Sequence, residues 1–492
     1  MESFVKSAAA LAVAATMTAG CAVGPDFRAP APPSATTYTA TALPAETAAT
    51  PGVAGAPQRF IAGNDVPAQW WALFHSEALD RTIRQALADS PTLAAAQARL
   101  REARENRRAT YGTLFPSVDG NVSASRQKIS GASFGQPGSD VTPFTLINAS
   151  VSVSYALDLF GGTRRELEAL QAQIDYQSFQ LEGAYLTLTS NIVTAAVQEA
   201  SLRAQLRATR EIIAAEEEQL KLVERQVKIG GASLPDQLAQ EAQLAQTRTT
   251  LPPLEKGLAQ TRHQLAALAG RLPGDAGELP EFVLTELTLP PELPVSLPSA
   301  LVRQRPDIRA SEELLHAASA QIGVATANLY PQVTLSGSYG SQATRLENLF
   351  STGTSVWSLG AGVLQPIFRG GELTAKRRAA IAAFDAAEAQ YRATVVQAFQ
   401  GVADVLRALE QDALTLKAQA AAETAAHDSL DLSRKQFEIG AASYLTLLTA
   451  ERQHKQAQLA LVQAQAVRLA DTAALFQALG GGWWNRDATP SP

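Results

Sequence analysis

The sequence predicts a mainly α protein with a minority of membrane β, built as a duplicated unit of one β-hairpin and one long coiled-coil helical hairpin. Duplication is the first observation behind that class. Ser90-Pro91-Thr92-Leu93 opens a helical stretch that runs into Leu114-Phe115-Pro116, and Arg305-Pro306-Asp307-Ile308 opens another that runs into Leu329-Tyr330-Pro331. Pro91 and Pro306, like Pro116 and Pro331, stand 215 positions apart, and Ile229-Gly230-Gly231-Ala232-Ser233 returns after 210 positions as Ile439-Gly440-Ala441-Ala442-Ser443. A period of about two hundred residues is far too long for a solenoid module, so the doubling builds a large pseudo-symmetric object. The second observation is a seven-residue spacing, Leu167, Ile174, Leu181, Leu188 in one copy and Val395, Val402, Leu409, Leu416 in the other, which marks helices packed along a coiled-coil seam. The third is strict alternation of apolar and polar residues in short segments beside those helices.

The chain begins with an export signal. Lys6, an apolar run from Ala8 to Ala15 and the small residues Thr18-Ala19-Gly20 precede Cys21, so residues 1–20 read as a signal peptide too short to span a bilayer permanently. Cys21 is the only cysteine, which excludes an intramolecular disulfide. Its setting resembles the lipobox of bacterial lipoproteins, in which the thiol is acylated; a soluble periplasmic protein with a chance cysteine is the alternative. Residues 21–60, rich in Ala, Pro and Thr, are expected to be a lipidated, extended leader that does not fold by itself.

Repeat 1 occupies residues 61–271. Helical sequence from about His75 to Leu114 leads into strands at about 117–127 and 144–160. In the second of these Ile147, Ala149, Val151, Val153, Tyr155 and Leu157 alternate with Asn148, Ser150, Ser152, Ser154 and Ala156, giving one apolar and one polar face over the length of a tilted bilayer crossing. Helices at about 163–229 and 234–271 follow, the first a rod of roughly 100 Å at about 1.5 Å per residue. Pro252-Pro253 should kink or break the second. A proline-rich linker, 272–298, joins this copy to repeat 2, residues 299–480, with strands at about 332–341 and 355–368 and helices at about 372–438 and 444–479. Residues 481–492 form a C-terminal tail.

Composition narrows the function. At 46% hydrophobic residues, a net charge of −6 and no Lys/Arg block, the chain lacks the basic face that nucleic acid requires. No apolar run of 18 or more residues lies in the mature part, so a bilayer crossing has to be made with strands. One chain supplies four. About eight is the minimum for a closed barrel, and an open edge in lipid leaves backbone groups unpaired, so closure needs further copies. Alternation alone leaves a small soluble sheet covered by helices as the other reading.

These segments resemble the outer membrane efflux factor family, TolC-like, in its lipoprotein branch. The likeness is carried by Gly20-Cys21 with Val23-Gly24-Pro25-Asp26-Phe27, by Trp70-Trp71 and Phe74, and by Leu114-Phe115-Pro116 and Leu329-Tyr330-Pro331. Asp158-Leu159-Phe160-Gly161-Gly162, Pro366-Ile367-Phe368-Arg369-Gly370-Gly371 and Ala478-Leu479-Gly480-Gly481-Gly482-Trp483-Trp484 complete it. The resemblance implies a homotrimer with a twelve-stranded barrel in outer membrane lipid and a twelve-helix periplasmic tunnel. It also implies a periplasmic adaptor (membrane fusion) protein and an inner-membrane pump of the resistance, nodulation and division type as partners, and outward conduction of drugs or other small amphiphilic solutes. A protein or peptide secretion duct and a non-conducting envelope-bridging scaffold are the alternatives.

The resemblance further implies a periplasmic gate just after each helical turn. Tyr444-Leu445-Thr446-Leu447-Leu448-Thr449 has Thr449 where the family usually has aspartate, and the first copy retains Asp236. The gate candidates are Asp236, Thr446, Leu447, Leu448 and Thr449. Two readings of Asp236 stand: one member of a charge ring around a trimer axis, or the acid of a capping box with Ser233. Gly230, Ser233, Gly440 and Ser443 match the tips that contact the adaptor, and they also suit ordinary turning and capping.

Enzymatic motifs fail in context. Gly131-Ala132-Ser133-Phe134-Gly135 spells a nucleophile elbow, but in a Gly/Ser-rich loop between strands rather than between a strand and a helix. Gly360-Ala361-Gly362 starts like a dinucleotide loop and falls inside a strand. His75, His263, His316, His427 and His454 have no metal-ligand spacing. The expectation is no catalysis, no metal, and no cofactor beyond a covalent lipid on Cys21.

Overall fold

A computed structural model describes residues 22–128, 130 and 142–486 of the 492-residue chain. The export signal, Cys21, the Gly131–Gly135 motif and residues 487–492 lie outside the described residues.

β1 (Arg59–Ala62) ends the leader, and α1 (Glu77–Asp89) and α2 (Pro91–Gly112) lead into β2 (Ser117–Gln127) and β3 (Phe144–Leu157). The long α3 (Gly162–Lys228) turns into α4 (Leu234–Arg248) and α5 (Leu251–Leu268). β4 (Glu292–Val295) and α6 (Pro298–Gln304) follow, then α7 (Pro306–Ala327), β5 (Gln332–Ala343) and β6 (Ser355–Leu364). The chain closes with α8 (Glu372–Glu438) and α9 (Tyr444–Ala478). α3 and α8 have the same length, 67 residues, as a duplicated unit requires.

Several boundaries differ from expectation, each for a local reason. The helical stretch before each hairpin is two helices, because Ser90 and Arg305 precede proline and are held extended (ψ 118° and 124°). Each proline then opens the next helix, where its missing N–H costs nothing. β3 stops at Leu157 rather than near 160: the Asp158 carboxylate accepts the backbone N–H groups of Thr163 and Arg164 at 3.1 and 3.0 Å and so caps α3. β6 stops at Leu364, short of 368, next to Pro366, which has no N–H for the ladder. β5 reaches Ala343, past the expected 341, because Ala343 still pairs with Ile147. Pro252-Pro253 breaks the return helix of the first copy into α4 and α5. α5 ends at Leu268, short of 271, at Gly270 (φ +75°), where a Cβ would lie 2.5 Å from the Asp89 carbonyl oxygen.

The two sequence copies are not the two compact units. One unit comprises the N-terminal segment to Pro30, Arg99–Gln177 and Ala310–Tyr391; the other comprises Ala31–Ala98, Ser178–Arg309 and the chain from Arg392 on. Each unit thus draws on both repeats. In the first, β3 pairs with β5, so the hairpins merge into one antiparallel sheet of order β2-β3-β5-β6. A lone two-stranded hairpin is marginal in water, and merging gives each inner strand two neighbours.

The second unit has the larger core. Trp70, Phe74, Ile83, Ile192, Leu265, Leu293 and Phe476 are buried in it, and Trp70 stacks on Phe476 at 5.3 Å between ring centres. The heptad residues Leu188, Val402 and Leu409 are buried there as well. The linker contributes to the core: it buries Leu279, Phe282, Leu284, Leu287 and Leu289, and its β4 pairs in parallel with β1. The described part of the leader is docked on α9. Arg468 of α9, fully buried, donates to the carbonyls of Ala54 and Ala56 at 2.9 and 2.8 Å and to the Thr47 hydroxyl at 2.8 Å. A segment without a core of its own is ordered here by satisfying a buried cation.

Candidate functional site

The first unit presents the sheet. Directly opposed residues in an antiparallel ladder share a face, and the register aligns apolar residues across all four strands. Val118 lies opposite Val153, Val153 opposite Gly337, and Gly337 opposite Leu359. The next row is Gly120, Val151, Tyr339 and Trp357. The other face carries Asp119, Asn121, Ser150, Ser152, Ser336, Ser338 and Ser358, with the Ser338 and Ser358 hydroxyls 2.8 Å apart. Among the described residues the apolar face is uncovered: Trp357 is 70% and Leu359 82% exposed.

A soluble protein does not leave aromatic and branched residues in water across a whole sheet face. Lipid suits that face, and water suits the serine face. The strands are 11, 14, 12 and 10 residues long, enough for a tilted bilayer crossing. No described helix is long and apolar enough to cross. Among the described residues, β2 and β6 each pair on one side only, so both edges of the sheet are open.

The second unit contains the helical turns. α3 ends in a glycine turn in which the N–H of Gly231 donates to Gln226 C=O (2.7 Å) and that of Gly230 to Val227 C=O (3.1 Å). α8 ends identically, Ala441 to Gln436 (2.7 Å) and Gly440 to Phe437 (3.0 Å). Gly230 and Gly440 have φ of +77° and +73°, the left-handed conformation this cap requires. Ser233 and Ser443 cap the returning helices. Ser233 forms the full capping box: Asp236 accepts from its N–H at 3.0 Å and its hydroxyl at 2.6 Å. Those bonds hold the Asp236 carboxyl below the usual aspartate range.

The gate candidates separate. Leu447 is 0% exposed and packs on Leu430 and Ala450 with Phe437 against them, so it lies inside the chain. Thr446 is exposed, and Leu448, Thr449 and Asp236 are partly exposed, the Thr449 hydroxyl donating to Leu445 C=O at 2.8 Å. Sequence reasoning missed what ties the second hairpin to the first. The buried Tyr444 hydroxyl donates to Gln240 Oε1, and Gln240 Nε2 donates to the Glu216 carbonyl at 3.1 Å. It also missed the apolar tips, Ile229 (82% exposed) and Ile439 (79%), whose equivalence is visible in the repeat itself.

The motif following Cys21 also has a built receptor, in the first unit. Arg165 donates to Val23 C=O (3.2 Å) and pairs with Asp26 (2.7 Å), and Phe27 stacks on His316 at 4.3 Å. A Cβ on Gly24 would meet Gly323 Cα at 2.4 Å. Single charged and aromatic residues far along the chain carry no signal of such a role.

Fold and faces together define a chain whose strands supply one segment of a membrane barrel and whose helices form duplicated hairpins. The chain belongs to the outer membrane efflux protein family, whose profile matches residues 82–271 and 297–481, one stretch for each repeat. It is an outer membrane efflux channel protein. It is similar to the pyoverdine export outer membrane protein OpmQ of Pseudomonas aeruginosa, with 34% identity over 84% of this chain and 87% of that one. It is 31% identical to the antibiotic efflux pump outer membrane protein ArpC of Pseudomonas putida, over 98% and 96% of the two chains. Its fold matches the open-state crystal structure of the Neisseria gonorrhoeae MtrE outer membrane channel with a TM-score of 0.80, 27% identity and coverage of 95% and 100%.

Proposed function

We propose that three copies of this chain close into a twelve-stranded barrel continued by a twelve-helix periplasmic tunnel, and that this duct is the exit of a tripartite pump. One observation carries the reading: a sheet with lipid-suited and water-suited faces in register across four strands and an open strand at each edge. Joining β6 of one copy to β2 of the next removes every edge, which the bilayer demands. The serine face then lines an aqueous path. Small amphiphilic solutes, drugs among them, pass outward along it, a reading supported by the pyoverdine export of OpmQ and the antibiotic efflux of ArpC. Energy comes from an inner-membrane pump of the resistance, nodulation and division type, reached through a periplasmic adaptor that grips the glycine turns and their exposed Ile229 and Ile439. The chain itself performs no catalysis. A lipid on Cys21 anchors the N-terminus. Asp236, Thr446, Leu448 and Thr449 narrow the periplasmic end, and Leu447 supports them from within the protomer.

Reconstitution of the purified full chain into planar bilayers tests the proposal. Discrete conductance steps, with cross-linked trimers in the same preparation, are expected. Trimers that conduct nothing would leave only the scaffold reading.

A further inference from the structure

In the first unit, four junctions between strand and helix lie at one end of the sheet: Phe115-Pro116 before β2, Phe160-Gly161-Gly162 after β3, Tyr330-Pro331 before β5 and Phe368-Arg369-Gly370-Gly371 after β6. Each carries one aromatic residue, because the repeat copies the motif. Phe115 and Tyr330 stand 215 positions apart in front of equivalent prolines, and Phe160 and Phe368 each precede a glycine pair, with Arg369 inserted in the second copy. The chain joins two of these four rings by itself. β3 and β5 are neighbours, and where their seam ends Phe160 stacks on Tyr330, ring centres 4.7 Å apart and planes 17° from parallel.

The other two rings have no stacked mate among the described residues. Phe368 is 87% exposed, and Phe115 is 56% exposed although Tyr111 meets it edge-on at 5.5 Å between ring centres. The segment presenting Phe368 is nevertheless fixed. Gln365 Nε2 donates to Leu329 C=O at 3.2 Å and to Pro366 C=O at 2.9 Å, and Arg369 C=O accepts from the N–H of Glu372, the first residue of α8, at 3.0 Å. Two such rings gain from burial against each other, and a stacked geometry adds to that gain.

We propose that Phe368 of one copy stacks on Phe115 of the next, so that each seam between copies repeats the Phe160–Tyr330 stack found inside the chain. The inference rests on the proposed trimer, in which β6 of one copy meets β2 of the next. Strand direction then sets the neighbours. The sheet is antiparallel throughout and has four strands, so β6 runs opposite to β2 and its end meets the start of β2 in the next copy. Phe368 lies four positions past the end of β6 and Phe115 two before β2; at the internal seam Phe160 lies three past β3 and Tyr330 two before β5. Such a pair has a job there. The two open edges are rich in serine and glycine, among them Ser117, Gly120, Ser123, Ser358, Gly360 and Gly362, and strands of that composition specify their register weakly. A slip of two residues would keep apolar side chains on the lipid-suited face, whereas it would separate the rings, so the stack fixes which residues of the two copies meet.

Thiol cross-linking of the full chain in detergent tests the adjacency. Phe115→Cys combined with Phe368→Cys, treated with a short bis-maleimide, is expected to run as covalent dimers and trimers on a denaturing gel, with neither single variant exceeding the parent. Phe115→Cys combined with Leu359→Cys, nine positions back from Phe368 and roughly 30 Å away at about 3.3 Å per residue, should give none. Substitutions then separate a stack from two rings that each sit in lipid at the barrel rim. Phe368→Ala and Phe115→Ala should each lower the temperature at which the proposed trimer dissociates, the double variant no further than the worse single, and Phe368→Tyr should keep the parent value. Additive losses overturn the proposal, and so does failure of the Phe115 and Phe368 pair to link while an amine-reactive reagent fixes trimers in the same sample. Absence of trimers with the amine-reactive reagent in the unaltered protein would strike the proposed duct itself, and the stack with it.

Discussion

Arg468 shows how far a single residue can organise its surroundings. Its guanidinium is buried; burial lowers its pKa while Asp412 opposes that shift, and three oxygens of the leader accept hydrogen bonds from it. Arg468→Met fills similar volume and strands those acceptors, so a loss of about 2–4 kcal/mol is expected. Thermal unfolding measures that loss, and limited proteolysis should cut residues 45–58 sooner. Asp236 gives a pH signature. Its depressed pKa means that its stabilisation is present above the unfolded value near 3.8 and disappears as pH falls through the lower folded value. Asp236→Asn should therefore weaken the α4 start by about 0.5–1 kcal/mol at pH 7 and match the parent once pH lies below the folded value, followed by exchange of the residue 234–240 amides. Both readings of Asp236 rested on neighbours three residues apart or on other chains. The first was legible in Ser-x-x-Asp and is formed; the second depends on copies the sequence cannot place.

Among the elements, the sheet is the clearest case of sequence dictating geometry. A period of two in Ile147 to Leu157 put one set of side chains on each face, but which residues of β5 and β6 joined them was decided by register. A charge on the lipid-suited face should be costly. Leu359→Arg is expected to destabilise the assembled barrel by about 2–4 kcal/mol, whereas Ser336→Arg on the opposite face should cost little. Heat-dependent gel mobility of the proposed trimer distinguishes them. The helices were legible because heptads and a lack of proline leave a long chain few other options. The shorter helices before the hairpins open at Pro91 and Pro306, as those prolines signal in the sequence, because the residue before each proline is forced into an extended conformation.

At the scale of the whole molecule, the duplication in sequence is a poor guide to compactness. β3 pairs with β5 across the repeat boundary, while leader and linker, both proline-rich and featureless, meet as β1 and β4. Because Arg165 and Arg468 pin separate stretches of the leader, the barrel should assemble without the lipid. Cys21→Ser, with the rest of the chain unchanged, should lose the proposed acyl mass yet retain the proposed trimer by cross-linking in detergent.

The amino-acid order alone determined the doubled hairpins, the two-faced strands and the capped glycine turns, because each depends on contacts within a few residues or on a fixed helical or strand period. The tertiary structure decided the register of β3 on β5, the docking of the leader on Arg468, the pairing of leader and linker, and the tie from Tyr444 to Gln240. Those features join residues more than one hundred positions apart, and no local periodicity records which distant side chain fills a cavity or which backbone oxygen meets a buried cation.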